Sequence, residues 1–407
     1  MRRWRWKMPA TSTFAADVTQ TVTAHVAGRV AQAFPRCRAL ILTGSAARQE
    51  ATIARRPECV YWLSDLEFLV VVSDSENVGL TGEVLDELAA TISKDLRSQG
   101  LHIKLELTPA PERYFTRIRP QLFGYELKRC GRQVFGDVNY LDRIPSFDWR
   151  SIPLDEAFRL VSNRLIELLE LRLEQDRRSL AEQFYAVTKT YLDLLTALSL
   201  PAGSYAPGYQ ARFGARRAVL QWAVEQGCSL PASFLGNLEI AFQFKLDPDS
   251  RFHFLWVNGQ QDLPAALERE GLRCFWDELP EAALAVWRWF ASRLAGRSES
   301  CQEDPPHVYP VWARLRGWSR LLLHADPIPR LPLAARAVRL FPHGSPRSLV
   351  YSCGARLADP HAGAKEDSLA WVSRFLPLPT PNRHADWREL AEACVSIWRR
   401  HLRHSHA

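Results

Sequence analysis

Strand-forming sequence in this 407-residue chain is confined to its first third. Three short apolar runs read as strands: CRALILT (37–43), WLSDLEFLVVV (62–72) and LHIKLELT (101–108), the last by regular alternation of apolar and polar side chains. Past Asp137 that signal fades. The segments 154–176, 179–199, 209–226 and 232–245 carry apolar residues at helical spacing, separated by turn residues such as Pro201-Ala-Gly203 and Pro207-Gly208. The expected fold class is therefore α+β, with an N-terminal α/β domain built on a mixed sheet and a largely α-helical C-terminal part.

Helices fill the gaps between the strands. Val18, Val22, Val26 and Val30 recur every four residues and predict a helix that ends near Phe34-Pro35, while Leu80, Val84, Leu85, Leu88 and Ile92 predict another over 80–98. Residues 14–108 then read helix, strand, short helix, strand, helix, strand. The turn-rich stretch at 145–152 predicts a boundary, which divides the chain into a basic N-terminal tail (1–13), an α/β domain (14–150), a helical domain (151–257) and a further helical region (258–407). Trp276, Trp287, Trp289, Trp312, Trp318, Trp371, Trp387 and Trp398 fall in helical stretches, where core packing is their expected role.

The net charge of +7 first suggests an anionic partner, but its distribution argues otherwise. Arg2, Arg3, Arg5 and Lys7 at one end and Arg399, Arg400 and Arg403 at the other account for the whole surplus, so residues 8–398 are balanced. Nucleic-acid binding gains no support from a neutral body. The eight cysteines show no Cys-x-x-Cys pair, and the eleven histidines no metal spacing, which predicts reduced, structural thiols. The N-terminal segment lacks the apolar run of a secretion signal, and no stretch is long and apolar enough to span a bilayer. A cytoplasmic protein without membrane attachment is expected. The sequence does not disclose an oligomeric state.

Chemistry concentrates around the first strands. Strand one runs into Thr43-Gly44-Ser45-Ala46-Ala47-Arg48-Gln49-Glu50, where Gly44 permits close backbone approach and Ser45 opens a short helix with a hydroxyl and free N–H groups, as an anion site for phosphate requires. On strand two, Asp65 and Glu67 are two residues apart and so share one face, with Leu66 and Phe68 on the other. On strand three, His102, Lys104, Glu106 and Thr108 share a face, which makes Glu106 a third carboxylate. Hard oxygen donors of this kind suit Mg²⁺ together with substrate phosphates, and three of them suit two metal ions. Taken singly, each piece has a plain structural reading: Gly-Ser as a helix start, Asp-x-Glu as a solvated edge.

The run Gly-Ser-x-Ala-Arg-x-Glu (44–50), Ser-Asp-x-Glu (64–67) entering an apolar strand, an acid on the next strand, and GRQVFGD (131–137) together resemble the DNA polymerase beta-like nucleotidyltransferase superfamily, in particular its minimal and antibiotic-modifying members. The resemblance covers about residues 37–137 and extends weakly over 180–213. It implies a nucleotidyltransferase domain over 14–150 and a helical domain over 151–257 that packs on its active-site cleft. It implies that Gly44 and Ser45 hold a nucleoside triphosphate, ATP first among them, and that Asp65, Glu67 and Glu106 hold two Mg²⁺, with Glu106 helping to deprotonate an acceptor hydroxyl on a small molecule or a protein. Residues 51–63 lengthen the loop relative to compact members, and Glu67 replaces the commoner Asp, which keeps the oxygen ligand but moves it by one methylene.

Two cations have double readings. Arg48 is placed to contact phosphate or to pair with Glu50, and Lys189 to meet the triphosphate, as a lysine does in related enzymes, or to pair with Asp193 four residues on. Lys104 can steady Glu106 or touch a phosphate. Tyr205, Tyr209 and Arg212 are candidates for the acceptor side. The alternative to catalysis is an inactive nucleotide-binding or interaction module of the same fold.

Overall fold

A computed structural model describes residues 14–250, 252–256, 263–296, 309–323, 330–361, 366–378 and 385–402. The basic segment 1–13 lies outside these residues. Two compact units result. Of the described residues, the first comprises 14–153, 205–214, 242–250 and 252–256, and the second the others. Residues 205–214, 242–250 and 252–256, assigned by sequence to the 151–257 helical domain, thus belong to the first unit.

The first unit holds every described strand: α1 (Phe14–Ala33), β1 (Ala39–Leu42), α2 (Gly44–Ala47), β2 (Ile53–Arg55), β3 (Val60–Val72), α3 (Val78–Ser98), β4 (Leu101–Pro111), α4 (Glu112–Arg117), α5 (Leu122–Cys130) and β5 (Arg132–Phe135). β3 is the axis of the sheet. It pairs antiparallel with β2 at its start and with β1 at its end, and parallel with β4 along its length; β5 adds to β1. The sheet is mixed and the fold α+β, as the run pattern predicts.

Two cores form on opposite faces, and their unequal extent decides where polar chemistry can sit. One face, bearing Leu66, Phe68, Val70, Leu105 and Leu107, is covered by the valine stripe of α1 and by Leu85 and Ile92 of α3. Val18, Val22, Val26 and Val30 are all 3% exposed or less, so the four-residue spacing marks the inward side of α1 as expected. On α3, Leu80 and Val84 point outward instead, and Thr81, Leu85, Ala89, Ile92 and Leu96 form its buried side. On the other face the core lies around Ile41, Leu69, Val71 and Ala110, packed by Phe115 of α4, Leu127 of α5 and Tyr140. β3 is therefore buried on both faces at its end and on one face at its start, which explains why WLSDLEF alternates and LVVV does not.

The second unit is helical throughout its described residues: α6 (Leu154–Leu173), α7 (Leu180–Ser199), α9 (Arg216–Glu225) after α8 (Tyr209–Gly214) of the first unit, the first part of α10 (Phe234–Leu246), then α11 (Leu263–Arg269), α12 (Arg273–Asp277), α13 (Leu279–Ala295), α14 (Val311–Leu323), α15 (Arg330–Leu340), α16 (Pro346–Ala358), α17 (Glu366–Phe375) and α18 (Trp387–His401). α6 is its central element, packed by α7, α13, α16 and α18 around Phe158, Val161, Leu165 and Leu169. Trp287 donates to Ser162 Oγ at 3.0 Å and Trp398 to Asn163 Oδ1 at 2.9 Å, so each buried indole N–H is satisfied. Trp312 departs from the core expectation: it lies 61% exposed on α14.

Arg399 and Arg400 also depart from the reading of a basic tail. They close the last turn of α18, where cations complement the helix dipole, and Arg399 pairs with Glu170 of α6 and with Glu174 just beyond its end. Burial raises the Cys37 thiol to about 11 and that of Cys394 to about 12, which keeps both protonated and inert at neutral pH. No described helix is long and apolar enough to cross a membrane.

Candidate functional site

Asp65 and Glu67 stand on the open half of the β3 face, just before the second core begins at Leu69. β4 runs beside them in parallel, with Glu67 level with Glu106. Between the pairs Trp62/Ile103 and Leu66/Leu105 the register shifts, so that Leu63, Ser64 and Asp65 oppose Lys104 alone. The two extra residues of this bulge preserve the alternation of faces. Asp65, Glu67, Lys104 and Glu106 consequently share one face, as their spacing predicts.

The bulge brings the Lys104 ammonium between two strands. Its Nζ lies 2.5 Å from Glu106 Oε1 and 3.1 Å from Asp65 Oδ1. Of the two sequence readings of Lys104, the structure shows the one in which it steadies Glu106, and adds Asp65, which spacing could not reveal. Glu67 reaches toward the turn after β1. Its backbone carbonyl accepts from Thr43 N at 2.9 Å, and its Oε2 lies 2.6 Å from where a Cβ on Gly44 would stand. Gly44 has φ +65, so both the backbone conformation and the space favour glycine here.

The turn that carries Gly44 and Ser45 is anchored by a buried charge network. Arg48 Nη1 donates to Glu126 Oε2 of α5 at 2.6 Å and its Nε to Glu50 Oε2 at 3.2 Å. The two oxygens of Glu50 also accept from the backbone N–H groups of Tyr209 and Gln210, both at 2.9 Å, which caps the start of α8. Glu126 Oε1 accepts from Arg212 Nη1 at 2.7 Å and from the Tyr205 hydroxyl at 2.9 Å. Burial alone would push the Glu126 carboxyl up, but Arg48 and Arg212 outweigh it and hold the group at about 2. Burial and the adjacent Glu126 carboxylate push the Tyr205 phenol up.

Arg48 takes the structural pairing with Glu50 that the sequence allowed and adds a second one, with Glu126. Its guanidinium is 10% exposed and spans two buried carboxylates. Tyr205 and Arg212, expected on an acceptor surface, are members of the same buried network, with Arg212 only 2% exposed. Lys189 is half-buried on α7 of the second unit, where Asp193 pairs with Arg164 of α6 at 3.1 Å.

Sequence reasoning missed Lys245 altogether. It is 2% exposed and donates from Nζ to Ser64 Oγ at 3.0 Å, one residue before Asp65, while the same hydroxyl accepts from Thr52 N at 2.8 Å. The Tyr209 ring lies beside three cations, with Arg212, Arg48 and Lys245 at 4.9, 5.3 and 5.5 Å from its centroid. A serine at the buried parity of β3 was the one available signal for this contact.

Among the described residues, no group of three or more His, Cys, Asp or Glu side chains converges as a metal centre. Asp65 and Glu106 do address a single cation, since one ammonium nitrogen reaches an oxygen of each. Both are hard oxygen donors, so the pair fits Mg²⁺ that brings further ligands from a triphosphate. No protein-family model, curated protein or solved structure matches the chain.

Proposed function

We propose that the protein is a nucleotidyltransferase that moves a nucleoside monophosphate, AMP from ATP in the first instance, to an acceptor hydroxyl and releases pyrophosphate. The observation that supports this most is the placing of Asp65, Glu67 and Glu106 on one sheet face beside the Gly44 turn, with Asp65 and Glu106 sharing a cation. Asp65, Glu67 and Glu106 would hold Mg²⁺, two ions in all, which supplies neutralising charge to the triphosphate.

The protein's own groups then have distinct tasks. The Gly44 turn, which lacks a side chain toward Glu67, lets the triphosphate approach the backbone, and Ser45 offers its hydroxyl. Glu106 accepts the proton of the acceptor hydroxyl as the acceptor oxygen bonds to the α-phosphorus. The bond from that phosphorus to the bridging oxygen breaks, and pyrophosphate leaves with the electron pair. Lys189 belongs to this proposal as a cation for the triphosphate. The acceptor hydroxyl is carried by a small molecule or a protein; the balanced charge of residues 8–398 argues against a nucleic acid.

One observation favours a second reading, a nucleotide-binding module without catalysis: Lys104 already pairs with both Asp65 and Glu106. Calorimetric titration of ATP with and without Mg²⁺, on wild type and Asp65→Asn, separates the two. Binding that requires Mg²⁺ and is lost with Asp65→Asn supports the enzyme, whereas metal-independent binding unchanged by the substitution favours the module.

A further inference from the structure

We infer that Lys104 is a built-in competitor of the divalent cation, occupying the cation position between Asp65 and Glu106 until a metal ion displaces it. The inference rests on the nucleotidyltransferase reading and gives Lys104 a role before nucleotide arrives. Its basis is the register of β3 against β4. With Leu63, Ser64 and Asp65 all opposite Lys104, the bulge sets Asp65 beside the same ammonium that reaches Glu106. A Lys two residues before a carboxylate on a regular strand would share its face but would have no reason to meet a second acid on the neighbouring strand.

The exposures show which partner is fixed and which is exchangeable. The Lys104 side chain is 59% exposed, against 18% for Asp65 and 26% for Glu106. The carboxylates are held by the sheet, while the ammonium rides on a flexible stem in contact with water. An exposed lysine pair is weak and readily exchanged, and a divalent ion carries twice the charge to the same oxygens. Displacement therefore needs no backbone movement. It leaves Lys104 on the metal's own face of the sheet, where its positive charge next serves the phosphates that arrive with the metal. The arrangement offsets part of the charge of two nearby carboxylates in the resting protein and lowers the affinity for metal alone.

The test is Mn²⁺ titration of the full chain, without nucleotide, followed by the loss of the free-ion electron paramagnetic resonance signal. Lys104→Met is expected to bind Mn²⁺ about fivefold more tightly than wild type, with Lys104→Arg close to wild type because it restores the competing charge. Lys94→Met, which removes an exposed lysine of α3, makes the same change in net charge and should leave the affinity unaltered. Equal Mn²⁺ affinity in wild type and Lys104→Met overturns the competitor role while the nucleotidyltransferase reading stands. A tightening of the same size in Lys94→Met also overturns it, since bulk charge then explains the effect. Absence of Mn²⁺ binding in every variant without nucleotide, together with no retention of the Mn²⁺–ATP complex by the protein in equilibrium dialysis, overturns the reading and the inference together.

Discussion

Replacing Glu126 by Gln removes one negative charge from a nearly isosteric side chain and leaves Arg48 and Arg212 facing it. The carboxylate accepts three hydrogen bonds, from Arg48, Arg212 and Tyr205, at 2.6 to 2.9 Å. Its displacement from the usual 4.5 to about 2 corresponds to about 3 kcal/mol of stability at neutral pH. Loss of one partner from a buried ion pair costs about 3–5 kcal/mol in other proteins, a compatible range. Glu126→Gln should thus lower the unfolding free energy of the first unit by about 3 kcal/mol at pH 7. Denaturant titration followed by amide exchange in α5 and α8 reads this separately from the helical unit. The sign of the pH dependence follows from a depressed carboxyl. The contribution is complete above about 4.5 and is lost as pH falls toward about 2, so the gap between wild type and variant should close over that window. A loss below about 0.5 kcal/mol at pH 7, the range of ordinary surface substitutions, or a gap that does not change with pH, would refute the reasoning.

Gly44→Ala places a Cβ 2.6 Å from Glu67 Oε2 at φ +65, so it should cost about 1–2 kcal/mol of stability by thermal unfolding and displace Glu67; a variant as stable as wild type would contradict the packing described. Phe158→Ala, in the centre of the α6 packing, should destabilise the second unit by about 3–5 kcal/mol and leave exchange protection of β3 and β4 unchanged in the same experiment. Equal loss of protection in both units would show that they do not unfold separately.

The long strands and helices were legible because each has a run of its own. β1 sits within its apolar run, β3 and β4 extend theirs by two and three residues, and the valine stripe names the inner face of α1. β2 and β5 are three and four residues long, with Arg55 and Arg132 among them, and exist because a partner strand orders them. α4 and α5 are similarly too short to show a period. Non-local contacts left no trace at all. Glu50 caps α8 across more than 150 residues, and nothing near position 50 announces Tyr209. This is also why 205–214, 242–250 and 252–256 read as parts of a helical domain although they complete the first unit.

The candidate site shows the same division. The shared face of Asp65, Glu67, Lys104 and Glu106 follows from a period of two and needed no structure. The contact between Lys104 and Asp65 depends on a bulge that only the pairing of β3 with β4 reveals. The two readings of Arg48 were equally open in sequence, and the choice was made by Glu126, a residue on α5 that carries no motif.

Incubation of the purified chain with Mg²⁺ and ATP labelled at the α-phosphate, against a panel of small hydroxyl compounds and proteins, tests the central claim most directly. The account predicts transfer of label to at least one acceptor with stoichiometric pyrophosphate, abolished by EDTA and reduced at least a thousandfold by Asp65→Ala, as loss of a principal electrostatic group entails. Transfer that is equal in wild type and Asp65→Ala, or absent from both across the panel, would contradict it.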